Sequence, residues 1–479
     1  MGSDDAFISF RYAQNLFAGH GLVFNPGERV EGYSNFLYTL LITPVFFWSA
    51  ELVYQYSILL NCLLFAFSLV IFHGFLTRRL GQNKAKIGTL LLALNPWVWA
   101  NAATGLETIL ILAITTGSWI LLEEYLSSGN RALIPVLMIF SGLSILGRVD
   151  GFILPLTIAA YAFYRNERKL ALNLLLFVVS IGVLYTAWRY YYYHDVISNT
   201  YYAKVSGDFL SRIKRGFGNL YENIVRTGFW LPLSMIGLRL AMGIKQGNSG
   251  NRIDFAMSFI VLWAGYLIYI GGDIYYERFM VALFPMGIYT VLALVQSSNN
   301  KLAWLAAISA MLVVQTVFVL SDGRFRYGMS NYDCWVTAGK FLGKNYPGAT
   351  LAVDAAGKIP YFSGLRSLDM LGLNDKHIGK MESQAKYFRP GHLKFDAQYV
   401  LSKNPELIAA WIAPTMDLYW GLAKSIYEQN YSLKYLVNTS RIDKGENNII
   451  DVESLSKRDT RSLILDSYDY AILYRKSGG

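Results

Sequence analysis

Residues 4–36, DDAFISFRYAQNLFAGHGLVFNPGERVEGYSNF, place two adjacent carboxylates and a glycine-rich loop ahead of a long series of apolar, helix-length runs. A charged, loop-forming prelude to a membrane bundle points to an active site at a water–lipid boundary. The 479-residue chain is 54% hydrophobic and only 16% charged, against roughly a quarter charged in soluble domains. Composition therefore predicts a polytopic α-helical membrane protein. The 11 Trp and 34 Tyr suit aromatic belts at the two interfaces, where a ring buries its body and wets its polar tip.

Downstream of that segment, runs long enough or nearly long enough to cross the hydrocarbon fall at 57–77, 86–100, 107–122, 131–147, 151–164, 169–189, 229–244, 254–270, 279–296 and 302–320, ten expected spans. Arg78, Arg79, Lys84 and Lys86, then Arg131, then Arg165, Arg168 and Lys169, then Lys245 and Arg252, then Lys301 recur at every second connection. Short cytoplasmic loops collect Lys and Arg, so those connections are expected inside. The stretch 36–50 is short and carries Pro44, and it is read as a juxtamembrane or re-entrant helix on the outer face. Residues 1–56 are then the first outer loop, 57–320 the bundle and 321–479 a second outer domain. In that tail ATLAVDAAG, PELIAAWIAP and YDYAILYRK look like strands alternating with helical stretches at 334–344 and 396–403, which predicts a small α/β domain. Cys62 lies in an apolar run and Cys334 in the tail, so no disulfide joins them.

This topology puts the informative polar residues on one side: Asp4, Asp5 and Arg11; Glu107 in GLE; Arg148 and Asp150 in GRVDG; Asn199 and Lys204 in SNTYYAK; Asp273 and Arg278 in GGDIYYER. Ionisable groups at helix mouths are costly against lipid, so Arg148, Asp150, Asp273 and Arg278 are expected around a shared hydrated cavity. A carboxylate beside several cations suits attack by an acceptor hydroxyl on a sugar whose leaving group is a lipid phosphate. Of Asp4 and Asp5, which cannot both face one atom from a helix or strand, one is the base and the other a positioner or metal ligand. Lys204, Arg148 and Arg278 are candidates for the phosphate clamp, and Asp273, Glu107 and Asp354 for sugar hydroxyls. Arg11, Asn25, Glu28, Arg29 and Glu31 of the first loop, with Asp150 and Asn199, complete the residues expected to bind donor or acceptor. Residues 207–227 read as a basic amphipathic helix that rests on anionic lipid or gates the donor.

The first loop resembles that of the GT-C fold, polyprenyl-phosphate-sugar-dependent glycosyltransferases, in the group that includes terminal arabinofuranosyltransferases. GLET, GRVDG, SNTYYAK, GGDIYYERF, VDAAGKIPYFSG, LDMLGLND and GHLKFDAQYVL are similar to that group in the same order. The resemblance implies a periplasmic site in a bacterial inner membrane. It also implies a donor such as polyprenyl-phosphate arabinofuranose and a cell-envelope glycan or glycolipid acceptor, as in lipopolysaccharide or surface-polymer decoration. It places the family's acidic pair on Asp4 and Asp5, with the first acid, Asp4, as base. Family members deliver this pair with a preceding membrane helix, so such a helix is expected ahead of Asp4.

The net charge of +10 is accounted for by inner loops and gives no reason to expect nucleic acid. With five scattered His and two Cys no metal cluster is expected; a divalent cation held by oxygens is possible and none is obligatory. A lipid-linked-sugar transporter would place its ionisable residues near the bilayer midplane and needs no outer α/β domain. A non-catalytic envelope scaffold leaves the one-sided polar set without a purpose.

Overall fold

The computed structural model describes residues 2–205, 208–237, 254–274, 277–295, 301–323, 332–383 and 390–476. Lys245 and Arg252, the end of the expected 229–244 span, and Tyr275 and Tyr276 lie outside the described residues.

Among the described residues, three helices are long and apolar enough to cross a bilayer, Ala50–Leu80, Thr108–Ser128 and Arg168–Tyr193. Shorter apolar helices, among them Leu133–Gly147, Ile153–Tyr164 and Phe255–Ile270, pack with them. Two of the ten expected spans are divided. Run 86–100 breaks into Gln82–Ala93 and Pro96–Ala102, because Pro96 cannot donate and the Asn95 side chain accepts the Trp97 and Val98 N–H groups instead. Run 279–296 becomes Arg278–Val281 followed by Phe284–Val295.

Patterning within Val53–Leu80 is the reverse of a soluble helix. Ser57, Asn61, Phe65, Ser68 and Phe72 recur at helical spacing on the buried face, while Leu59, Leu63, Phe67 and Val70 point outward. Small and polar groups inside with apolar groups outside is the arrangement expected where the solvent is lipid. The bundle's polar ends are segregated. At one end Arg78 meets Glu124 at 3.0 Å and Tyr125 donates to Glu167 at 2.8 Å. At the other, Arg148 meets Glu107 at 2.7 Å, about 26 Å away along the Thr108–Ser128 helix by its rise per residue.

The C-terminal domain carries a six-stranded mixed sheet, β1 Thr350–Val353, β2 Arg366–Asp369, β3 Leu407–Trp411, β4 Tyr431–Val437, β5 Ile449–Asp451 and β6 Tyr470–Arg475, in the order β2-β1-β3-β6-β4-β5. β1 pairs in parallel with β2 and β3, and the remaining pairs are antiparallel. Side chains alternate between two cores: Leu351, Val353, Leu407, Ala409 and Ile472 bury on one face, and Ala352, Ile408, Ala410 and Leu473 on the other. Helices Cys334–Asn345 and Lys358–Ser363 cover the first face, and Ala397–Ser402 and Lys457–Leu465 the second. The domain docks on the amino-terminal helix Asp4–Phe17, where Phe7 meets the rings of Tyr361 and Phe362, each at 5.4 Å.

Candidate active site

At the end of the bundle opposite Arg78, an open cleft of about 380 Å³ is lined by Asp5, Ser9, Asn35, Glu107, Lys204 and Arg278, with Tyr33, Ser34 and Thr200. It gathers residues from the first helix, the loop before Phe36, the start of the Thr108–Ser128 helix and the short helix Asn199–Val205. Asp5 and the Lys204 ammonium stand 3.7 Å apart, with about a quarter of each side chain exposed. Their separation is that of a loose, partly exposed ion pair.

The floor is more tightly built. Glu107 accepts from Arg148 at 2.7 Å and from Asn35 at 2.9 Å, and Asn35 in turn accepts from Ser9 at 2.9 Å. Arg148 closes on Asp150 with two bonds of 2.9 and 3.1 Å and lies 4.6 Å over the Phe279 ring. Gly151 completes this turn because any side chain there would strike the Ser144 carbonyl. Arg278 pairs with Asp273. Burial alone would raise Asp273, yet Arg278, Lys204 and Arg148 hold it below the usual carboxylate range. Glu107 and Asp273 fix the cations they pair with.

Asp4 faces elsewhere. Its carboxylate accepts the backbone N–H of Lys358 at 2.7 Å and of Gly357 at 3.1 Å, in the C-terminal domain. Burial pushes its pKa up to about 6, opposed by those amides and Lys358 and assisted by Asp5. The two acids thus divide between the cleft and the domain, and they do not share one oxygen site for a cation.

The expectation that the first-loop residues bind donor or acceptor meets a different placement. Arg11 donates to the carbonyls of Phe24 and Leu365, each at 2.7 Å, to Pro360, and to Asn25 at 3.1 Å. Burial lowers its pKa to about 10. Asn25 bridges both backbone groups of Ser367 and donates to Glu28, which pairs with Arg366. Glu31 pairs with Arg189 at 2.5 Å, and Arg29 lies 4.9 Å over the Tyr192 ring. Asn199 donates to the carbonyls of Gly372, Leu373 and Asp375. Asp354 accepts from Tyr470, Trp420 and the Trp411 amide inside the sheet domain. None of these seven lines the cleft; Arg11, Asn25, Glu28, Arg29, Glu31 and Asn199 join loop, bundle and domain, and Asp354 braces the sheet domain from within. Ser9, Tyr33, Ser34, Asn35 and Thr200 line it without having been expected, and GYSN preceding an apolar helix was the signal available for three of them.

The docked domain should respond to pH. Asp369 is buried and raised to about 6 by desolvation against its bonds from Leu371 and Asn374, and Asp4 is raised to the same level. A carboxyl raised above its unfolded value contributes stability below that value and loses it as pH rises through the folded one. The unfolding free energy is therefore expected to fall between about pH 4 and pH 7, by roughly 3 kcal/mol for Asp369, seen as a falling thermal midpoint, and Asp369→Asn should flatten the dependence. A wild-type midpoint independent of pH would contradict this.

A family model described as a domain of unknown function (DUF8728) matches residues 325–464. The terminal beta-(1->2)-arabinofuranosyltransferase of Corynebacterium glutamicum is 27% identical over 380 residues, covering 66% of this chain and 52% of that protein. The chain thus spans about half the length of this curated relative. The crystal structure of ArnT from Cupriavidus metallidurans bound to undecaprenyl phosphate superimposes with a TM-score of 0.55 at 11% identity, over 100% of this chain and 94% of that one. The Archaeoglobus fulgidus oligosaccharyltransferase gives 0.55 at 12% identity, over 92% of this chain and 70% of that one. The chain has the GT-C fold of these membrane proteins: a helical bundle with a C-terminal sheet domain.

Proposed function

We propose that this chain is an inverting membrane glycosyltransferase that moves a sugar from a polyprenyl-phosphate donor to a hydroxyl of a cell-envelope glycan or glycolipid. The observation that carries the reading is the partly exposed Asp5–Lys204 pair, set beside Arg278 in a polar cleft at the end of an apolar bundle. Asp5 accepts the proton of the acceptor hydroxyl as its oxygen attacks the anomeric carbon. The bond from that carbon to the phosphate oxygen breaks, and the electron pair leaves with polyprenyl phosphate. Lys204 and Arg278 face the charge that develops on the departing phosphate, where charge-assisted bonds act most strongly. Asp273 pairs with Arg278, and Glu107 and Asp150 fix Arg148 beneath the cleft.

The relative of C. glutamicum supports arabinofuranose as the sugar, and ArnT, solved with undecaprenyl phosphate, supports the lipid. Alternation of the basic connections supports ten crossings of a bacterial inner membrane, with residues 1–56 and 321–479 periplasmic and 57–320 forming the bundle.

The test is transfer of labelled sugar from undecaprenyl-phosphate arabinofuranose to an envelope glycolipid by the full chain in nanodiscs. Donor bound and never cleaved would overturn the reading. Lys204→Ala should raise KM for the donor about 10- to 100-fold, the loss expected for one hydrogen bond to a charged group. An unchanged KM would remove Lys204 from the phosphate site.

A further inference from the structure

Asp4 and Asp5 are consecutive, yet one is bound to the sheet domain and the other lines the cleft. The contact made by Asp4 is built from both sides. In the sheet, the connection after β1 runs outward to β2, whereas the chain after β3 turns back towards β6 and β4. In open α/β sheets the crevice at the carboxyl ends of such a strand pair is where ligands bind. Here the loop leaving β1 delivers the Gly357 and Lys358 amides to the Asp4 carboxylate. Gly357 has a negative φ of −95°, so a left-handed backbone is not the reason for glycine here. A Cβ there would collide with the Asp4 carbonyl oxygen. The absent side chain thus admits the bundle's first helical residue, and Lys358, fixed to Asp333 at 2.5 Å, anchors the same turn.

We infer that Asp4 is a positioning residue, through which the crevice of the C-terminal domain holds the start of the catalytic helix and sets Asp5 in the cleft. This rests on the reading of Asp5 as the base. The domain is then part of the catalytic apparatus, and its docking controls turnover rather than donor binding.

Gly357→Ala separates the two ideas, because it leaves both acids and every residue lining the cleft unchanged. In the full chain in nanodiscs, kcat with undecaprenyl-phosphate arabinofuranose should fall about 100-fold, the cost of displacing a reacting group by about an ångström. KM for that donor should stay unchanged. Hydrogen exchange should accelerate in residues 4–9 while β1 and β3 stay protected, a readout that needs no activity. Unchanged exchange in residues 4–9 would overturn the inference even if no transfer is found. A wild type without transfer overturns only the assignment of the base.

Asp4→Asn provides the second variant, since an amide keeps one acceptor for two donors. It should lower kcat less than Asp5→Asn does and leave the pH profile of kcat in place. Loss of the acidic limb, the fall in kcat at low pH that protonation of the base produces, in Asp4→Asn would make Asp4 the base and end the inference.

Discussion

Asp5→Asn lowers sugar transfer by about 10²- to 10⁴-fold, the usual contribution of a positioned general base, without undocking the C-terminal domain. The carboxylate of Asp5 faces Lys204 across the cleft, and the domain's bonds to this turn come from Asp4. An amide at position 5 keeps the size and polarity of the acid but cannot take the hydroxyl proton. Donor binding should persist because Lys204 and Arg278 remain, so KM for the donor changes little while kcat falls. Transfer by Asp5→Asn at the wild-type rate would remove Asp5 from the chemistry. The contrast with Asp4→Asn decides between this geometry and the order of roles implied by family resemblance.

Arg11→Met should cost about 1.5–3 kcal/mol of docking stability, the scale of hydrogen bonding to a charged group. The guanidinium reaches four acceptors at once, three of them main-chain carbonyls and two belonging to the sheet domain. Methionine fills comparable length and removes all four guanidinium bonds, leaving each oxygen only its second donor, from Asn15, Gly364 or Ser367. Lysine should rescue only partly, because a compact ammonium has three donors and no planar fork. The expected readouts are a lower thermal midpoint and faster tryptic cleavage of the sheet domain in Arg11→Met. Equal midpoints and cleavage rates would show that the domain is held by other contacts alone.

The bundle and the central strands were legible because continuous apolar runs announce elements buried on both faces. That holds for β1, β3 and β6, whose side chains alternate between two cores. β2, β4 and β5 escaped because RSLD, YSLKYLV and IID mix polar and apolar residues towards the sheet's edges. The cleft was partly legible: sidedness brought Asp5, Glu107, Lys204 and Arg278 together before any coordinates did. Sequence could not separate Asp4 from Asp5, since neighbours on a helix differ by about 100° in direction and only the docked domain decides which faces where. Nor could it assign Arg11 and Asn25, whose partners lie as far as 354 residues away. Polar residues in a glycine-rich loop look the same whether they await a sugar or a distant main chain.

The seam at Gly357 also offers a route to inhibition that owes nothing to substrate mimicry. A compound wedged between that glycine and the Asp4 carbonyl would resemble neither an isoprenoid nor a pentose, and rising substrate would not displace it. Resistance would then arise as changes around residues 355–358, well away from the reacting centre.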